Sequence, residues 1–419
     1  MGITRRNLLR GAAATLAVAG TGFSTQLLAG QKTVKIGLNI PMTGDYAPWG
    51  LPGLYGCKMV ASNINTAGGV EIGGETYMIE PVGYDHGYDT EKAIMGYKTL
   101  IGDAAAMVMM LGGSTVGAIL GRAQRGKQMV TTLLPSDITP DTPNLVAPSE
   151  SHPLYNATGV EWLSENFPEA KTAVIVTTND IEYGLQSAAV YQAAFEVAGI
   201  EVLDTNFHGS DVTDFAPIVQ DLLSHQPDIF CMATDVYTTP LVEALYNANY
   251  QGKIISCTLD LYEEVIAKTS KEYVDGIIFQ FPDFDDPALQ DPQIQFPDPA
   301  GFWTTFQKDY PGQWSAVAWQ YPAILTNWVT AAQAAGSVEP MDVLAAMKAN
   351  PNPPHTFGKA KWWGSQLYGQ DNCVVGDWPV VTMQNGRARI VELRSVGDWL
   401  DKHNEVLKRK MQDLGLRTV

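Results

Sequence analysis

The stretch TVKIGLNIPMTGDYAPWGLPGLYGCKMVASNINTAGG, Thr33–Gly69, decides the fold class. Its first eight residues read as a buried strand, with Val34, Ile36, Leu38 and Ile40 alternating and one charge among them. A loop rich in Pro, Gly and aromatic residues follows. Gly53–Thr66 then reads as a helix stopped by Gly68-Gly69. YMIEPVGYD (Tyr77–Asp85) reads as the next strand. Strand, helix and strand in this order are the unit of a parallel sheet covered by helices.

Working outward, the alternation continues. A helix is expected over Thr90–Asp103, with Ala93, Ile94, Tyr97, Leu100 and Ile101 on one face. AAMVMML (105–111) reads as strand, TVGAILGRAQRG (115–126) as helix and QMVTTLLP (128–135) as strand. A break dense in Pro and Ser, Asp137–Pro153, interrupts the pattern. It restarts with a helix at Tyr155–Asn166 and the strand TAVIVTTND (172–180), and runs on to the strands DIFCMATD (228–235) and KIISCTLD (253–260). A second Pro- and Asp-rich break ends GIIFQFPDFDDP (276–287). Helices are expected at Gly301–Tyr310, Ala316–Ala335 and Pro340–Asn350, then a hairpin turning at Asn385-Gly386. The fold class is α/β, with two lobes, each a mainly parallel sheet flanked by helices. Ligands of such sheets bind at the carboxyl ends of the strands.

Composition narrows the function. The net charge of −18 over 419 residues argues against nucleic acid, which needs a basic face. Cys57, Cys231, Cys257 and Cys373 show no CxxC spacing; buried free thiols are the reading, with a disulfide of unreadable pairing as the alternative in an exported protein. GRAQRGKQ (121–128) fits G-x-x-x-x-G-K but lacks the Ser or Thr after Lys127 and a strand before it, so it is no nucleotide loop. His86 sits between acids, with no second His close by, and reads as part of a solvated loop rather than a metal ligand. No haem, iron–sulfur, HExxH or GxSxG pattern occurs, which disfavours an exported enzyme. No cofactor and no metal are expected.

The N-terminus carries Arg5, Arg6 and Arg10 before an apolar run, Gly11–Gly22, that is too short to cross a bilayer. Residues 1–30 have the layout of a removable secretory signal. Arg5-Arg6-Asn7-Leu8-Leu9-Arg10 resembles a twin-arginine signal, with Leu8-Leu9 where Phe-Leu is common. Gln31 stands where a lipid-anchored protein would need Cys, so a soluble periplasmic protein is expected.

KIGLNIPMTGDYAPWG, VGYDHGYDTEKA, LGGSTVGA, NDIEYGLQSA and FGKAKWWG occur in that order from about Val34 onward. Together they resemble the solute-binding proteins for branched-chain amino acids. The resemblance implies a type I periplasmic binding fold whose lobes are joined by a three-crossing hinge. The lobes would be residues 32–152 plus 280–358 and residues 153–279 plus 359–419. It further implies a monomer that closes on a small ligand and delivers it to an ABC permease in the inner membrane. A ligand-sensing receptor of the same fold is the alternative.

Site residues follow from the strand ends and from the resemblance. Ser114, at a strand end before a helix, would hold a carboxylate with its hydroxyl and nearby amides, or simply cap the helix. Leu134, Pro135 and Ser136 occupy the next strand end, where the family usually has small residues. Trp49, in a loop between Pro48 and Gly50, would cover the ligand. Tyr183, Trp319 and Tyr321 would add aromatic walls, against the commoner fate of core packing. Asp235 and Asp260 end two strands of the second lobe and would take an ammonium or amide N–H, with Asp260 near the family's ammonium-binding acid. The expected ligand is an apolar amino acid or amide, with an aromatic carboxylate as runner-up.

Overall fold

The computed structural model describes residues 32–180, 183–233 and 236–419. The expected secretory signal and Asp235 lie outside the described residues. Among those described, β1 (Lys32–Ile40), β2 (Val70–Ile72), β3 (Glu75–Asp85), β4 (Ala105–Met110), β5 (Val130–Thr131) and β6 (Leu145–Val146) form one sheet in the order β2-β3-β1-β4-β5-β6. β7 (Thr172–Thr178), β8 (Glu201–His208), β9 (Ile229–Met232), β10 (Lys253–Ser256) and β11 (Ile278–Phe279) belong to the second sheet. β12 (Ala360–Trp363), β13 (Cys373–Gln384) and β14 (Arg387–Ser395) complete it on the β11 side. Apart from β2, β12, β13 and β14, the pairings are parallel, so the expected α/β class with two mainly parallel sheets is what the molecule has.

The central strands are buried end to end. Ile36, Leu38 and Ile40 of β1 and all of β4 are shielded by helices on both faces. The first strand order places β1 between β3 and β4, and the second places β7 between β8 and β9. Both are points where the order reverses, and the loops leaving them carry the ligand groups of open sheets.

The chain crosses between the sheets three times. It leaves the first after β6 and builds β7–β11. It returns with helices Val317–Ala335 and Pro340–Ala349, then goes back for β12–β14. Helix Val317–Ala335 belongs against the first sheet's helix Leu51–Thr66. A Cβ on Gly53 would stand 2.0 Å from the Tyr321 ring, so only glycine allows this approach. Asn327 on that helix donates to Pro148 O at 3.1 Å and Pro354 O at 3.2 Å, tying the first and third crossings together.

Several expected elements change. QMVTTLLP yields only the two-residue β5, because Thr132 Oγ1 accepts the Leu134 N–H at 3.0 Å and turns the chain into the short 3-10 helix Pro135–Asp137. Ile101, expected on the buried face of its helix, is 36% exposed, and Gly96 lies on that face instead. His86 is buried rather than solvated. Its Nδ1 accepts the Tyr88 N–H at 2.9 Å, and burial lowers its pKa to about 4. Among the described residues no His/Cys/Asp/Glu group has the arrangement of a metal site. The four cysteines are free and buried, as expected.

Candidate functional site

The loop after β1 faces the loops after β9 and β10. Across that gap Trp49 of the first unit meets Asp260 of the second. They border a narrow crevice of about 20 Å³, whose other walls include Thr238, Thr258, Leu261 and Val265. Among the described residues, no Lys or Arg lines it. A larger hollow of about 420 Å³ lies at the start of β8, bordered by Glu196, Glu201, Asp204 and Lys410. It sits at the wrong end of the strands for a ligand site, and its walls are polar and open.

Asp260 spans the gap. Its Oδ2 accepts the Ala316 N–H at 2.7 Å, while Oδ1 is buried without a partner. Ala316 heads helix Val317–Ala335, and the adjacent Ser315 Oγ donates to Pro48 O at 2.6 Å. The contact therefore joins the second sheet's β10 loop to the loop that holds Trp49. Burial pushes the Asp260 carboxyl up to about 6, partly offset by the Ala316 N–H. Trp49 Nε1 is likewise buried and unpartnered.

The anion-binding corner expected at Ser114 is built differently. The cap position of helix Ser114–Gly126 belongs to Gly113, with φ 65° and no side-chain cap, so Ser114 is the first helical residue and not the cap. The Gly113 N–H donates to Asp137 Oδ1 at 3.1 Å and Oδ2 at 3.2 Å. Thr132 Oγ1 donates to the same carboxylate at 2.5 Å. A carboxylate of the chain itself thus occupies this corner. Leu134 and Pro135 are buried, Leu134 against Gly112, while Ser136 keeps a buried Oγ without a partner.

The aromatic residues divide. Tyr183 stacks on His152 with ring centroids 4.7 Å apart, and its hydroxyl donates to Cys257 Sγ at 3.3 Å. Tyr321 is fully buried on Gly53, its hydroxyl unpartnered. Trp319 packs among hinge aromatics, at 5.2 Å from Phe284, 5.1 Å from Phe357 and 5.9 Å from Trp378. It fills the junction of the crossings and does not line the crevice beside Trp49. The structure thus brings Trp49 and Asp260 together, sets Tyr183 deeper in the hinge, and places Trp319 in the core.

Sequence reasoning passed over a polar group on the first crossing. Glu150 is 3% exposed; burial pushes its carboxyl well up, with a hydrogen bond from Tyr155 opposing and the Asp260 charge adding. Its Oε2 has no partner. Tyr155 also bonds His152, whose burial lowers its pKa to about 3. Burial pushes the Tyr321 hydroxyl well up, and the Glu150 charge adds to it. The segment reads as linker because Pro and Ser dominate it, and nothing in its spacing marks Glu150 as buried.

A family model described as periplasmic binding protein matches residues 33–388. The chain belongs to that family. Its members are solute-binding proteins, and among this chain's described residues no helix is long and apolar enough to cross a membrane. No curated protein sequence matches the chain. Among solved structures, a fatty acid ABC transporter substrate-binding protein from Thermomonospora curvata is 19% identical with a TM-score of 0.71, covering 90% of this chain and 94% of its own. The branched-chain amino acid transporter substrate binding protein LivJ from Streptococcus pneumoniae, in complex with isoleucine, is 17% identical with a TM-score of 0.70, covering 87% and 100%. An ABC transporter solute binding protein from R. palustris, in complex with 4-hydroxybenzoate, is 17% identical with a TM-score of 0.69, covering 88% and 99%. At these identities the likeness carries the fold, and the three proteins' ligands differ in kind.

Proposed function

We propose that this protein is a periplasmic solute receptor that closes two lobes on a small ligand and presents it to an ABC importer. The lobes are residues 32–152 plus 280–358 and residues 153–279 plus 359–419. The observation that carries the reading is the crevice shared by Trp49 and Asp260, whose walls come from both sheets and whose edge is bridged by Asp260 and Ala316. The ligand offers an N–H-bearing end to the unpartnered Asp260 Oδ1 and an apolar body to Trp49. That class spans apolar amino acids and amides, and the isoleucine complex of a neighbour supports its amino-acid side. An aromatic carboxylate is the second reading. The bulk of Leu134 and Pro135 and the 4-hydroxybenzoate complex favour it, while a crevice without Lys or Arg counts against it.

Native mass spectrometry of freshly purified protein, followed by a thermal-shift screen, tests this reading. A true ligand at a hundred times its Kd adds about 2.7 kcal/mol and raises Tm. A screen of amino acids, amides, amines and small carboxylates in which nothing moves Tm would sink the receptor reading. Permease and ATPase genes beside this one are expected for transport, and a kinase gene for sensing.

A further inference from the structure

Tyr88 holds a backbone conformation that its residue type avoids. Its φ is 62°, and Gly87 before it has φ 52°. Among the described residues, the other non-glycine residues with positive φ end a helix, cap one or turn the hairpin: Ala104, Lys127, Gln226, Asn249, Asp298 and Asn385. Short polar side chains such as Asn and Asp tolerate that region, while an aromatic residue there is strained. Tyr88 is the one aromatic residue in the group. Such strain persists where the surroundings enforce it, and it gathers at functional sites.

The enforcement comes from the end of β3 and passes to the loop after β1. The Tyr88 N–H donates to Nδ1 of the buried His86 at 2.9 Å. Asp85 Oδ1 accepts the Gly87 N–H at 2.9 Å and the Met42 N–H at 2.8 Å, and Thr43 Oγ1 donates to Asp85 Oδ2 at 2.7 Å. In this conformation the Tyr88 ring stacks on Tyr46, with centroids 4.2 Å apart and planes 15° apart. Tyr46 O accepts the Trp49 N–H at 3.0 Å, closing the 3-10 turn Ala47–Trp49. At the next carbonyl but one, Pro48 O accepts from Ser315 Oγ at 2.6 Å. The turn that carries Trp49 to the crevice is thus held at both ends.

Resting on the solute-receptor reading, we infer that Tyr88 is a positioning residue for the ligand site: its strained backbone sets its ring on Tyr46, and the stacked pair fixes Trp49 before any ligand arrives. Stacked aromatic rings attract beyond the area they bury. A wall that is already fixed loses no further freedom when a ligand meets it, so more of the contact energy appears as affinity. Asn at this position would take the same φ with less strain and could not stack on Tyr46. The ring is what the strained backbone delivers.

Fluorine NMR of the ligand-free protein, labelled with 5-fluorotryptophan, tests this. The chain has ten tryptophans, and Trp49→Phe assigns the Trp49 signal by its loss. Wild type is then compared with Tyr88→Asn, which removes the ring, and with Tyr88→Phe, which keeps it. The expected result is a Trp49 signal that shifts or broadens by more than its own linewidth in Tyr88→Asn, while the other nine stay in place. In Tyr88→Phe the Trp49 signal is expected at its wild-type position. An unmoved Trp49 signal in Tyr88→Asn overturns the inference. Movement of all ten signals in Tyr88→Asn overturns it too, since Tyr88 would then support the fold at large. A Tyr88→Phe spectrum that matches Tyr88→Asn assigns the hold to the hydroxyl and overturns the role of the stack. No ligand is added, so a failed ligand screen sinks the receptor reading without altering this outcome.

Discussion

Asp260 holds one bond across the gap with Oδ2 and, in the proposed receptor, keeps Oδ1 for the ligand. Burial lifts its pKa from 3.8 to about 6. The raised value means that its contribution to stability is fully present below pH 3.8 and is lost as pH rises through about 6. Asp260→Asn cannot titrate. Between pH 4 and pH 7 the variant should therefore gain stability relative to wild type, by about 2 kcal/mol in the absence of ligand. Paired thermal melts at the two pH values check this, and a constant difference contradicts the assigned burial. His86, His152 and His355, held neutral by burial at about 4, 3 and 4, are present in both proteins and cancel. The Ala316 N–H bonds Asp260 and the Tyr155 hydroxyl bonds Glu150. That Trp49 and Asp260 lie in loops was readable in the sequence, Trp49 between Pro48 and Gly50 and Asp260 after the strand KIISCTL. Glu150 was not, since buried Glu is rare and its neighbours spell a linker. Asp137 was also missed, because its role depends on Gly113, distant in sequence.

At the scale of elements, the cleft depends on how closely two helices approach. Helices Leu51–Thr66 and Val317–Ala335 meet at Gly53, which lets the Tyr321 ring lie flat on the backbone. Gly53→Ala should cost about 1–3 kcal/mol, read as a lower Tm, because the added Cβ overlaps a fully buried ring. Gly117 is the control. It is exposed in helix Ser114–Gly126 with nothing within 4 Å of an added Cβ, so Gly117→Ala should stabilise by about 0.5–1 kcal/mol. Equal effects of the two changes would count against the close packing at Gly53. Long apolar strands and periodic helices were readable, as was the hairpin turn, where Asn385 and Gly386 take φ 53° and 73°. Short β2 and β12 were not, being three and four residues of sheet edge. Helix Val396–Asp413 was overlooked although Val396, Leu400, Leu407 and Met411 mark one face, because charged residues outnumber them.

At the scale of the molecule, three crossings make a hinge, and each is pinned by a polar contact. Asn327 holds the first and third. On the second, Asp283 accepts from Tyr262 at 2.9 Å and from Arg387 Nε at 2.7 Å. The Arg5-Arg6 pair predicts export of the folded chain, so changing both to Lys should hold the protein in the cytoplasm, as fractionation and blotting will reveal. Normal export of that variant contradicts a twin-arginine route. The two-lobed α/β plan was legible from the restarting alternation alone. The closeness of the lobes was not, because it rests on the bond between Asp260 and Ala316, which are far apart in the chain. Closure separates a hinged receptor from a rigid pocket, and small-angle scattering reads it. With a ligand whose binding a Tm shift has established, the radius of gyration should fall from its ligand-free value to the one calculated for this closed arrangement. A saturating ligand that leaves the radius unchanged would mean a rigid pocket and no hinge.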